Sequence, residues 1–161
     1  MSIKVGDRLP SATFRLVTSD GARPVTTQEF FAGRKIVLFG LPGAFTPTCH
    51  KNHLPGFLAE EAAFKAKGVA EIAMTAVNDH YVLAAWSKAT GADGRIAFLA
   101  DGAADFAKAA GLDFDASPGG LGLRSRRYSM LVEDGVVKIL NIEEAPGKAD
   151  LSGAAHLLAQ M

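Results

Sequence analysis

One residue in this chain combines nucleophilic chemistry with a position that would express it: Cys49, the sole cysteine among 161 residues. Only the thiolate attacks, and a free thiol with a pKa of about 8.5 is mostly protonated at neutral pH. A helix N-terminus, a nearby cation or hydrogen bonds to the anion move the balance toward thiolate. Thr46 stands three residues earlier, a spacing at which a hydroxyl can reach across a turn to donate to the sulfur or relay a hydrogen bond to a bound oxygen. Pro47 biases Thr46 toward an extended backbone. Pro42, lacking an N–H, can wall a pocket without competing for the sulfur. The competing reading is that a lone cysteine is an inert, buried hydrophobe. The run Thr46-Pro47-Thr48-Cys49-His50, following an apolar strand and a loop bracketed by prolines, weighs against that.

A redox dithiol carries two cysteines three apart at a helix start. Thr46 occupies the first of those places, so Cys49 closes no local disulfide, and with no other cysteine it closes none within the chain. His50 and His53 are three apart beside it. As metal ligands they would lack a fourth partner, and a metal would occupy the thiolate. Packing, hydrogen bonding or a positive rim are the expected roles. Phe45 and Trp86 are expected to be core or dimer-interface aromatics.

The elements that must position Cys49 follow from periodicity. Ile36 to Gly40 is a continuous apolar run, as in a strand buried on both faces. Leu41 to Pro47 is a loop, and Thr48 to Lys67 has helical spacing, with a kink or break expected near Pro55. Cys49 thus falls in the first turn of a helix that follows a strand, where backbone N–H groups lack intrahelical partners. Further strands are expected at Thr13 to Val17, Ala70 to Val77 and Arg95 to Leu99. Helices are expected at Thr27 to Phe31, Asp79 to Ala89 and Ala103 to Ala110, with Asn78-Asp79 capping the second. Asp113 to Arg124 is a glycine-rich, mobile loop. Arg127 to Val132 and Val136 to Ile142 flank Glu133-Asp134-Gly135, a hairpin signal. A closing helix spans Leu151 to Gln160, capped by Asp150 or Ser152. The expected fold is a single α/β domain over residues 1–161, three-layered, with a mixed central sheet. In such folds ligands bind beyond the carboxyl ends of strands, where Cys49 lies.

Lys and Arg number 17, as do Asp and Glu, giving a formal net charge of zero. A nucleic-acid or anionic-membrane binder normally shows a basic excess. Met1 to Pro10 has no apolar core of the signal-peptide kind, and no apolar run reaches membrane-spanning length. The absence of a disulfide framework fits a reducing compartment, so a cytoplasmic location is expected, with no nucleic-acid or membrane partner.

At Pro42-Gly43-Ala44-Phe45-Thr46-Pro47-Thr48-Cys49 the chain resembles the active-site signature of peroxiredoxins, Pro-x3-Thr-x2-Cys. Continuing through His50 to Phe57, it resembles the type-II subgroup, related to mammalian peroxiredoxin five and to glutaredoxin-linked plant and bacterial forms. Ile3-Lys4-Val5-Gly6-Asp7, Val77-Asn78-Asp79 and Arg127-Tyr128-Ser129-Met130 extend the likeness over nearly the whole chain. The resemblance implies a thioredoxin-like fold, Cys49 as peroxidatic cysteine, Thr46 as the threonine that hydrogen-bonds peroxide and sulfur, Arg127 as the active-site arginine that binds substrate and stabilises charge on the departing oxygen, Pro42 as shield and Gly43 as a substrate-binding residue. The residues alone do not choose among Arg124, Arg126 and Arg127. Strand alternation puts Arg127 and Ser129 on one face.

The resemblance further implies reduction of hydrogen peroxide and organic hydroperoxides through a Cys49 sulfenic acid, with no bound cofactor, and a homodimer. Relatives of this kind carry a second cysteine near Lys148 to Ser152 or where Met74 stands, and this chain has neither. An external thiol must therefore complete the cycle: glutathione with or without glutaredoxin, or thioredoxin. Two alternatives remain at this point: a peroxide sensor or chaperone-like partner in which Cys49 oxidation alters a binding surface, and a noncatalytic domain with an inert thiol.

Overall fold

Alternating apolar residues on successive strands give the sheet two buried faces. In the computed structural model, which describes residues 2–145 and 147–161, the elements run β1 (Thr13–Thr18), β2 (Gly21–Thr26), α1 (Thr27–Phe31), β3 (Lys35–Gly40), a π turn (Cys49–His53), α2 (Leu54–Ala59), α3 (Glu61–Ala66), β4 (Glu71–Ala76), α4 (His80–Ala89), β5 (Ala97–Ala100), α5 (Asp105–Ala110), β6 (Asp113–Asp115), a 3-10 turn (Ser117–Gly119), β7 (Leu123–Ser125), β8 (Tyr128–Glu133), β9 (Val136–Ile142) and α6 (Ala154–Gln160). Met1 and Pro146 lie outside the described residues.

The main sheet has the order β2-β1-β5-β4-β3-β8-β9. β3 pairs parallel with β4 and β4 with β5, while β1 and β8 join antiparallel. It is the mixed sheet expected. Val37, Phe39 and Leu131 face one core, with Leu54, Phe57, Leu83, Trp86 and Leu157 from the helices over it. Ile36, Leu38, Tyr128 and Met130 face the other, under Phe30, Phe31 and Phe106 from α1 and α5. Alternation on β3 and β8 therefore sorts the chain into helix–sheet–helix layers.

Two glycines are fixed by geometry. A side chain at Gly40 would run into the Tyr128 ring, so the end of β3 tolerates only glycine against β8. Asp134 (φ +49°) and Gly135 (φ +77°) form the tight β8–β9 turn, the left-handed pair that such hairpins require.

Several expectations need correction. The stretch Thr48 to Lys67 is not one helix broken at Pro55. It begins as a π turn that runs directly into α2, with Pro55 in the first turn of α2. The break falls at Glu60, whose φ of −101° and ψ of 11° separate α2 from α3. The glycine-rich segment Asp113 to Arg124 is not an open loop: β6 and β7 pair across it, and Ala116 exchanges backbone bonds with Gly122 (2.7 Å) and Leu121 (3.1 Å). β2, unmarked by periodicity, pairs with β1 alone, an edge position that accepts Pro24. The third expected strand shifts to Ala97–Ala100 and the helix after it starts at Asp105. The closing helix starts at Ala154 behind Gly153, and neither Asp150 nor Ser152 caps it.

Candidate active site

β3 is buried from Ile36 to Gly40 and delivers the chain to the top of the sheet. The loop beyond it is pinned by side chains from other elements. Ala44 N–H donates to Asn78 Oδ1 at 2.9 Å, while the neighbouring Asp79 caps α4 by accepting from Val82 N–H. Arg124 Nη1 donates to the carbonyls of Pro42 (3.4 Å) and Val77 (3.2 Å), tying loop to sheet. Leu54 N–H bonds the Cys49 carbonyl, five residues back, in place of the α-helical four. The widened turn lies directly before Pro55, which has no N–H for the next rung and whose ring crowds the carbonyl four residues earlier. Cys49 therefore opens a helical segment as expected, but one that starts as a π turn.

Cys49 is fully buried. Arg127, 2 % exposed, donates from Nη2 to Cys49 Sγ at 3.0 Å. Its Nη1 lies 2.9 Å from His53 Nδ1, and His53 Nε2 lies 2.9 Å from the Ser152 carbonyl. Burial first, then the Arg127 charge, pushes the His53 imidazole from 6.5 down to about 3, with the Ser152 carbonyl opposing. Arg127 precedes β8 on the face that carries Leu131, which packs in the same core as Cys49. This separates it from its neighbours: Arg126 reaches the Glu143 carbonyl at 3.5 Å, and Arg124 holds the loop.

Thr46 does not reach for the sulfur with its hydrogen. Its Oγ1 donates to the Gly43 carbonyl at 2.7 Å, which leaves the hydroxyl oxygen as an acceptor. Gly43 packs so closely on Arg124 that an added Cβ would come within 2.9 Å of Nη1. Pro42, Thr46 and Arg127 line a cavity of about 450 Å³ that Phe114, Pro118 and Leu121 also wall. The β6–β7 hairpin supplies that wall.

His50 and His53 are committed to different neighbours. His50 Nδ1 accepts from Trp86 Nε1 at 2.8 Å and its ring stacks on Phe45. Trp86 is a core residue, whereas Phe45 is 52 % exposed and holds φ +64°. Among the described residues, no group of three or more His, Cys, Asp or Glu is placed to hold a metal. Sequence reasoning missed the loop-holding roles of Arg124 and Asn78, since both act on backbone far away in the chain.

A buried thiol in contact with a guanidinium that itself lines an apolar-walled cavity is an arrangement for sulfur nucleophile chemistry, and the comparisons with known proteins agree. A family model described as Redoxin matches residues 4–158. Peroxiredoxin-2E-2, chloroplastic, of Oryza sativa subsp. japonica is 48 % identical over 98 % of this chain and 72 % of its own. The chain belongs to the peroxiredoxins. Reduced Prx3 of Vibrio vulnificus, solved in complex with hydrogen peroxide, superposes with a TM-score of 0.93 at 47 % identity, covering 98 % of both chains. Peroxiredoxin 5 from Alvinella pompejana superposes with a TM-score of 0.83 at 36 % identity, again over 98 % of both. This peroxiredoxin accordingly has the thioredoxin-like fold and is a thiol peroxidase of the type-II, single-cysteine kind.

Proposed function

We propose that Cys49 is the peroxidatic nucleophile and that glutathione, alone or through glutaredoxin, restores it. The 3.0 Å contact from Arg127 Nη2 to Cys49 Sγ carries the first half of this reading. A guanidinium donor at that distance is placed to hold the sulfur and the charge that moves through it during attack. The thiolate attacks the terminal oxygen of a hydroperoxide in line with the O–O bond. The S–O bond forms as O–O breaks, sulfur is oxidised to sulfenic acid, and the departing oxygen leaves as water or alcohol after taking a proton from solvent. Arg127 faces the charge that develops on the departing oxygen. Thr46 Oγ1, its hydrogen engaged by Gly43, accepts from the peroxide O–H and orients it. Pro42 lines the cavity, Gly43 holds the Thr46 hydroxyl through its carbonyl, and the cavity wall of Phe114 and Leu121 suits an organic hydroperoxide as well as hydrogen peroxide.

The external reductant rests on the cysteine count: a chain with one thiol has no internal partner for its sulfenate. One glutathione condenses with Cys49 sulfenic acid to a mixed disulfide and water, and a second returns the thiol and leaves oxidised glutathione. The two electrons come from these thiols, so the cycle calls for no bound cofactor. A reducing compartment such as the cytoplasm supplies them. Exposed Phe45, Tyr81 and Val82 offer apolar surface for a homodimer. Membrane association finds no support in the helices: none of those described is long and apolar enough to cross a bilayer.

The test is steady-state peroxide turnover with glutathione, with glutathione plus glutaredoxin, and with thioredoxin plus its reductase. Turnover in the first or second mixture supports the reading. Turnover with thioredoxin only would overturn the proposed reductant.

A further inference from the structure

His53 takes part in no step written above, yet it is buried to 1 % exposure one hydrogen bond away from the arginine that touches the sulfur. Its protonation can be deduced. The Ser152 carbonyl, 2.9 Å from Nε2, only accepts, so Nε2 carries a hydrogen. Arg127 only donates, so Nδ1, 2.9 Å from Nη1, presents a lone pair. A ring with one hydrogen is neutral, which agrees with the downward displacement of its pKa by burial and by Arg127. The neighbours hold it in that state. Phe39 and Phe57 pack against the imidazole at centroid distances of 5.1 and 5.6 Å, both nearly edge-on. The Ser152 carbonyl is itself held in place, because the buried carboxylate of Glu143 accepts from Leu151 N–H (2.9 Å) and Ser152 Oγ (3.3 Å).

A guanidinium is a rigid planar fork, so fixing one terminal nitrogen helps fix the direction of the other. We propose that His53 is a positioning residue for the peroxidase reaction: as a neutral acceptor it aims Arg127 at the Cys49 sulfur, linking the segment before α6 to the nucleophile. The cation then donates to the thiolate from a set direction instead of sampling rotamers. An imidazolium in the same place would have no lone pair for Arg127 and would repel it.

The inference rests on Cys49 acting as the nucleophile, which wild-type sulfenate formation reports by itself. The His53 experiment has three arms. In the first, nitrogen-15 NMR of the wild-type imidazole is expected to show the Nε2–H tautomer, unprotonated at Nδ1 from pH 5 to 8; the Nδ1–H tautomer or an imidazolium would overturn the proposal. In the second, His53→Phe is expected to slow sulfenate formation by roughly ten-fold or more, the size of a lost charge-assisted bond. His53→Asn, which keeps an oxygen acceptor near the Nδ1 position, should recover most of the rate. A folded Phe variant with wild-type rate, or an Asn variant as slow as Phe, would overturn it. In the third arm, His53→Phe in an Arg127→Ala background should bring no further loss, whereas the same fold-loss as in the wild type would show that His53 does not act through the arginine. Failure of a variant to fold leaves the NMR arm, read in the wild-type protein, to decide.

Discussion

Behind Cys49 the site consists of buried groups on regular structure, whereas in front of it lies a loop held by single long-range bonds. The rear contains Cys49 in the π turn, Arg127 at the entry to β8, and His53 between two phenylalanine rings, each 2 % exposed or less. The front contains Pro42, Gly43 and Thr46, tied down by Arg124, by Asn78 and by the Thr46–Gly43 bond. Charge is costly to bury unless paired, and the rear keeps its cation satisfied by sulfur and imidazole. At the front Thr46 is half-buried and the bonds go mostly to backbone carbonyls, which fix shape and not charge. The contrast suggests that the rear sets the reactivity of the sulfur and the front sets what reaches it.

Three outcomes would sharpen or break this division. The largest effect is expected at the rear. Arg127→Ala should reduce the second-order rate of peroxide reduction by about 10²-fold, the typical loss for a donor to developing charge, with an unchanged circular dichroism spectrum. Retained activity would reject the arginine assignment. At the front, Arg124→Ala should cost less, roughly three- to ten-fold, as expected for the long bonds it gives to the Pro42 and Val77 carbonyls. It should leave the pH profile of Cys49 alkylation where it was, because Arg124 does not touch sulfur. A shifted profile would mean that front and rear are not separable.

The smallest effect concerns stability. The folded chain holds His53 at about 3, below its unfolded value near 6.5, so between those limits the unfolded state binds more protons. Stability should therefore decline progressively as pH falls from about 6.5 toward about 3. In urea titrations His53→Phe should lose that part of the slope, and an unchanged slope in a folded variant would assign it to other groups.

The parts of this site visible in sequence were those encoded locally. Ile36 to Gly40 announces a buried strand by its apolar run, and Pro42, Thr46 and Cys49 carry their chemistry in types and spacing. A single π turn leaves no periodic trace, so Cys49 is expected at a helix start but the i to i+5 bond behind it is not. β6 and β7 have three residues each and sit among glycines and prolines that favour loops, and only the pairing across Ala116 to Gly122 reveals them. β2 contains Arg23 and Pro24 with little alternation, and its edge position tolerates both. Arg124, Arg126 and Arg127 look alike in sequence, and strand alternation only suggests the third. What separates them is tertiary: Arg127 faces the sulfur, Arg126 reaches a neighbouring carbonyl and Arg124 clamps a loop about eighty residues away, with separations of 82 and 47 residues in its two bonds. His53 shows the same limit, since its partners Arg127 and Ser152 lie 74 and 99 residues away.

The central claim, that the buried Cys49 sulfur is an activated nucleophile toward peroxide, is tested most directly by mixing the reduced protein with one equivalent of hydrogen peroxide in a stopped-flow instrument. Mass spectrometry of the quenched product then locates the added oxygen, with Cys49→Ser as the blank. The account predicts sulfenic acid on Cys49 at least about 10³-fold faster than oxidation of free cysteine at the same pH, with no oxygen taken up by the Ser variant at that rate. Oxidation at the rate of a free thiol would contradict it.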